Sequence, residues 1–109
     1  MATMEISTEQ VGQVTVARLR GDLDTGTAAT AEEALSAALD GGAQVLLVNL
    51  QDVGFVSSAG LRVLLAAAKR LSSPLRVCGL NETVQEVFDI SGFTTIFDVY
   101  GDEQQGLAG

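Results

Sequence analysis

The chain has 109 residues, 47% of them hydrophobic and 18% charged, which suits one globular domain across residues 1–109 rather than a disordered segment. Its 14 acidic and 6 basic residues give a formal net charge of -8, a surface that repels nucleic-acid backbones and anionic membranes. Histidine is absent, which excludes Ser-His-Asp and Cys-His pairs, histidine general bases and histidine-ligated metals.

Residues 4–9 read as a short strand, Gln10-Val11-Gly12-Gln13 as a turn, and residues 14–19 as a second strand that pairs antiparallel with the first. After Gly21 the hydrophobic period lengthens. Asp24 is the expected N-cap of a helix whose stripe is Ala28, Ala31, Leu35, Ala38 and Leu39, ended by Gly41-Gly42. Thr25, Thr27 and Thr30 read as solvent-facing or first-turn residues. The uninterrupted run over residues 45–50 (largely Val and Leu) suits a strand covered on both faces.

A second helix is expected to begin at Ser57-Ser58, with Leu61, Leu64, Leu65 and Ala68 on one stripe. Residues 75–79 form the next strand, in which the lone Cys78 is expected as a small core residue. Asn81 caps a third helix carrying Val84, Val87 and Phe88 and closed by Gly92. Residues 94–100 read as a last strand, and Asp102-Glu103-Gln104-Gln105 resembles a capping box opening a short terminal helix. The order β-β-α-β-α-β-α-β-(α) implies an α/β fold, with a mostly parallel sheet and one antiparallel pair at the start. No apolar run approaches the length of a membrane span, and MATMEISTEQ lacks the features of a signal peptide, so a cytoplasmic location is expected.

One segment joins reactive side chains to a special backbone position: Phe55-Val56-Ser57-Ser58-Ala59-Gly60-Leu61. Unpaired N–H groups and the positive end of the helix dipole favour an oxyanion there, although capping alone explains one of the two serines. No histidine is available to activate either hydroxyl, the Gly-x-Ser-x-Gly elbow is absent, and so is a phosphate-binding loop. These serines are poor nucleophiles but can accept a phosphoryl group from another enzyme. Asp22 and Asp24 could pair on a divalent cation, yet two carboxylates rarely make a site and Asp24 already has a capping duty.

Gly21-Asp22-Leu23-Asp24, the strand at 45–50, the segment Val53-Gly54-Phe55-Val56-Ser57-Ser58-Ala59-Gly60-Leu61-Arg62-Val63-Leu64-Leu65 and Val87-Phe88-Asp89-Ile90-Ser91-Gly92-Phe93 together resemble a STAS domain. More narrowly, the chain resembles a stand-alone bacterial anti-sigma factor antagonist, over residues 5–105. The resemblance implies partner switching. Such a protein binds an anti-sigma factor that is also a serine kinase, thereby releasing a sigma factor. Phosphorylation of a serine at the start of the second helix ends the binding, and a metal-dependent serine phosphatase restores it.

Alignment on Gly60-Leu61 puts the acceptor at Ser58. The family often has aspartate before the acceptor and serine after it; Ser57 and Ala59 stand there instead, which makes Ser57 the alternative acceptor. Asp22, Asp24, Ser57, Gly60 and Arg62 are the implied partner-binding residues, since the Gly21–Asp24 loop should lie beside Ser58 at the carboxyl ends of the strands. The resemblance implies no cofactor, no resident metal, no nucleic-acid or membrane partner, and a monomer. A STAS subunit of a transporter ATPase or signalling scaffold, not controlled by phosphorylation, is the alternative. A small enzyme is the reading from a different class, and it lacks both a base and a nucleotide loop.

Overall fold

A computed structural model describes residues 3–109; Met1 and Ala2, which open the predicted domain, lie outside the described residues. Strands β1 (Glu5–Val11) and β2 (Val14–Arg20) form an antiparallel hairpin whose last pair is Val11 with Val14. Gly12 turns the chain there with a φ of 62°, the left-handed region that glycine adopts without a Cβ clash. Then follow α1 (Ala28–Asp40), β3 (Val45–Asp52), α2 (Ser58–Lys69), β4 (Arg76–Cys78) and α3 (Glu82–Ser91). A 3₁₀ turn at Phe93–Thr95, β5 (Asp98–Tyr100) and α4 (Glu103–Ala108) complete the chain. The sheet runs β1-β2-β3-β4-β5, with every pairing after the hairpin parallel, as the order of elements predicts.

Sequential strand order governs the layers. Each crossover steps the same way along the sheet, and right-handed crossovers then stack their helices on one face. One large apolar cluster accordingly takes Ala31 and Leu35 from α1, Leu61 and Leu64 from α2, and Val84 and Phe88 from α3. Alternation along β3 divides its side chains: Leu46, Val48 and Leu50 enter this cluster, whereas Leu47 joins Val14, Val16 and Cys78 on the opposite face. That second face is covered by α4, whose Leu107 packs on it. β3 is thus covered on both sides, and Cys78 is a core residue as expected, its thiol pushed up to about 11 chiefly by burial.

Two boundaries differ materially from expectation, the start of α1 and the extent of the last strand. Asp24 does not cap α1; the helix starts later, with Thr27 at the N-cap position. The Asp24 carboxylate instead accepts the Gly26 N–H at 2.9 Å, and its carbonyl accepts the Ala28 N–H at 2.8 Å, so it closes a turn ahead of the helix. Nor is Thr27 solvent-facing, being only 2% exposed. The last strand shortens to three residues because Phe93 and Phe97 turn inward onto Phe88, with ring centroids 6.4 and 6.0 Å away and near-perpendicular packing. The terminal helix is real: the Asp102 carboxylate accepts the Gln105 N–H, and the Gln105 side chain reaches back to the Gly101 N–H. Gly106 is the residue that lets this helix dock. A methyl group there would stand 2.7 Å from Leu47 Cδ1.

Candidate functional site

The loops that leave β2, β3 and β4 at their carboxyl ends meet around the start of α2. Ser57 is the N-cap, with extended backbone, and its Oγ accepts the Gly60 N–H at 3.3 Å. Ser58 is the first helical residue; it is exposed, and its hydroxyl has no hydrogen-bond partner among the described residues. The two adjacent hydroxyls therefore differ: one is engaged in holding the helix end, the other faces solvent. No acidic side chain occupies the first turn of α2, where the positive end of the helix dipole favours an anion.

Backbone pairing fixes the neighbouring loop. Leu23 and Val56 form an isolated parallel bridge, in which the Leu23 N–H donates to the Phe55 carbonyl at 2.9 Å and the Ser57 N–H donates to the Leu23 carbonyl at 2.9 Å. Gly60 lies buried behind that bridge, with no room for a Cβ between itself and Leu23. It therefore packs the start of α2, lying under the loop rather than on the exposed surface around Ser58. Thr27 pins the same loop from below, its Oγ1 donating to the Asp22 carbonyl at 2.7 Å and accepting the Asp24 N–H at 3.0 Å.

The acidic residues sit around this frame. Asp22 is exposed, and its Oδ1 lies 3.2 Å from where a Gly54 Cβ would stand, so its carboxylate rests over the β3–α2 loop. Asp24 is half-buried in its own turn. The third loop joins through Asn81, whose Oδ1 caps α3 at the Val84 N–H while its Nδ2 donates to the Gly54 carbonyl at 3.2 Å. Arg62 is exposed one turn beyond Ser58, at the i+4 spacing that puts two side chains on the same helix face. Among the described residues no cluster of three or more His, Cys, Asp or Glu side chains could hold a metal ion.

Three contributors escape a reading of the sequence. Phe55 is 44% exposed, a large apolar ring two residues before Ser57 in the stitched loop. Its place just after Gly54 and outside any expected strand or helix was the available signal. Thr27 and Asn81 are the other two, and their loop-to-loop bonds have no local signature.

The profile of the STAS domain family matches residues 5–106. The chain is 34% identical over 108 residues to a putative anti-sigma factor antagonist, BtrV, of Bordetella bronchiseptica, covering 96% of this chain and 93% of that one. Its structure resembles an anti-sigma factor antagonist from Mycobacterium paratuberculosis with a TM-score of 0.90 at 23% identity, over 97% of this chain and 92% of the other. It also resembles the anti-sigma factor antagonist SpoIIAA in its unphosphorylated form, with a TM-score of 0.74 at 25% identity, over 92% and 91% of the two chains. With the five-stranded sheet, three helices on one face and a matching profile across nearly its whole length, the chain belongs to the STAS domain family.

Proposed function

We propose that this chain is an anti-sigma factor antagonist that works by partner switching in the cytoplasm, as a single copy and as a binding protein rather than an enzyme. In its unphosphorylated form it binds an anti-sigma factor that is also a serine kinase, and a sigma factor is released. The kinase transfers the γ-phosphoryl group of ATP to the Ser58 hydroxyl, ADP leaving as the β–γ bond breaks and the hydroxyl proton leaving as the ester forms, and binding ends. A metal-dependent serine phosphatase hydrolyses the ester and restores the hydroxyl. Asp22, Asp24, Ser57 and Arg62 are the proposed docking residues around Ser58.

The observation that carries this reading is the division of labour between the two serines: Ser57 is occupied as the α2 cap, and Ser58 is exposed with a free hydroxyl. Electrostatics supports a switch that leaves the fold intact. A phosphate adds about −1.5 to −2 charge, and a helix N-terminus tolerates an anion. At an interface the same charge must lose its water and face whatever carboxylates the partner presents, and about 3 kcal/mol of such cost lowers affinity more than a hundredfold. SpoIIAA, a protein of the same fold, has both an unphosphorylated and a phosphorylated form.

Incubation with the cognate anti-sigma factor kinase and Mg-ATP, followed by intact mass and site mapping, tests the proposal. One phosphoryl group is expected, lost in Ser58→Ala and kept in Ser57→Ala. The reverse pattern moves the acceptor to Ser57, and no incorporation in the native chain, with binding unaffected by ATP, overturns phosphorylation control.

A further inference from the structure

The face of the sheet opposite α1–α3 is closed by α4 alone, and α4 is held there by an unusual balance of forces. It has six residues, far fewer than an isolated helix needs to persist. Its only apolar side chains are Leu107, which is half-buried, and Ala108, which is exposed. Beneath it lies a dry patch of Val14, Val16, Leu47 and Cys78, the last three with no exposure at all.

What ties α4 down is polar. The Glu103 carboxylate accepts both prongs of the Arg18 guanidinium, Nε at 2.7 Å and Nη2 at 2.9 Å, and also the Asn49 Nδ2 at 3.0 Å. The third nitrogen of Arg18 donates to Glu9 on β1 at 2.8 Å. At the other end of the helix, Arg76 Nη1 reaches the Gly106 carbonyl at 2.8 Å, supplying a partner that a helix carboxyl end otherwise lacks. Four strands thus contribute to a clasp, while the apolar contact under it amounts to one leucine and a glycine pressed on Leu47.

We infer that α4 is a detachable strap: it opens as a local unit, without unfolding of the domain, and the Glu103–Arg18–Asn49 clasp sets how often it does so. Opening uncovers the apolar strip on β3 and β4 and makes the Cys78 thiol reachable, although the closed domain buries it completely. Local opening of this kind draws on the least apolar, most polar-bonded part of a fold. The strap is on the opposite side of the sheet from α2, so its opening is independent of whether Ser58 is the phosphorylation site.

Reaction of Cys78, the chain's lone cysteine, with an aromatic disulfide (dithiobis-nitrobenzoate) that releases a coloured thiolate reads the open population directly. The native chain, Glu103→Gln, Gly106→Ala and the control Glu86→Gln are compared across low urea, with global unfolding followed by circular dichroism. Glu103→Gln removes the charge from the clasp, and Gly106→Ala wedges the helix away from Leu47. Both are expected to label at least about tenfold faster than the native chain. The control is expected to label at the native rate, and all rates should be nearly flat in urea below the unfolding transition. Labelling that follows the global unfolding curve in every protein, or a Glu103→Gln rate equal to the native one, would overturn the strap.

Discussion

Gly60 lies against Leu23 so closely that a methyl group on it would stand 2.6 Å from the Leu23 carbonyl oxygen and 2.7 Å from its Cγ. Because that carbonyl also accepts the Ser57 N–H, the contact cannot relax without loosening the start of α2. Gly60→Ala is therefore expected to destabilise the fold by about 1–3 kcal/mol, the usual cost of overpacking. Urea unfolding checks this, and amide exchange at Ser57 should speed up in the same variant.

The two serines should separate in stability as well as in chemistry. Ser57→Ala removes a cap and is expected to cost about 0.5–2 kcal/mol, whereas Ser58→Ala, at an exposed helical position, should stay within about 0.5 kcal/mol of the native chain. Equal losses in urea midpoint for both would show that the cap is shared.

Thr27 is buried under the Asp22–Asp24 loop and satisfies two backbone groups with one hydroxyl. Thr27→Val keeps the shape and deletes both bonds, so a loss of about 1–3 kcal/mol is expected. Thr27→Ser should recover most of it. Faster amide exchange at Asp24 in the valine variant, and not in the serine variant, would locate the effect in the loop.

Arg18, and after it Asn49, hold the Glu103 carboxyl below its ordinary value of 4.5. The unfolded chain then binds more protons than the folded one in acid, so this group's contribution to stability is complete above the ordinary carboxylate range. It disappears as pH falls through the depressed folded value. Thermal unfolding of the native chain and Glu103→Gln across pH 3–7 (roughly the span of carboxylate titration) tests the sign. The gap between them should be widest near neutrality and close at the acid end.

Most of the fold is legible in the sequence, because its signals are local. Glycines stop α1 and α3, Asn81 and Asp102 sit at the starts of their helices, and the Leu61–Leu64–Ala68 spacing declares the buried face of α2. The failures share one cause, which is competition between near-equal local signals decided by distant contacts. Asp24 and Thr27 are both good cap residues, and the choice falls to Thr27 because the Leu23–Val56 bridge fixes where the preceding turn must lie. Thr94 to Tyr100 is rich in strand-favouring residues, yet Phe93 and Phe97 gain more by packing on Phe88 than by joining the sheet. The site was legible as two serines at a helix start. Which of them is free, and which loops stand beside it, rests on bonds such as Asn81 to Gly54, 27 positions apart.

The bridge between Leu23 and Val56 is made wholly of main-chain N–H and C=O groups, which every residue except proline supplies alike. The proposed docking platform is consequently joined without drawing on the side chains at positions 22, 55 or 58. Those positions can be rewritten, one at a time, while the architecture beneath them stays put. A cell holding many such chains could give each its own recognition code and keep its circuits insulated from one another.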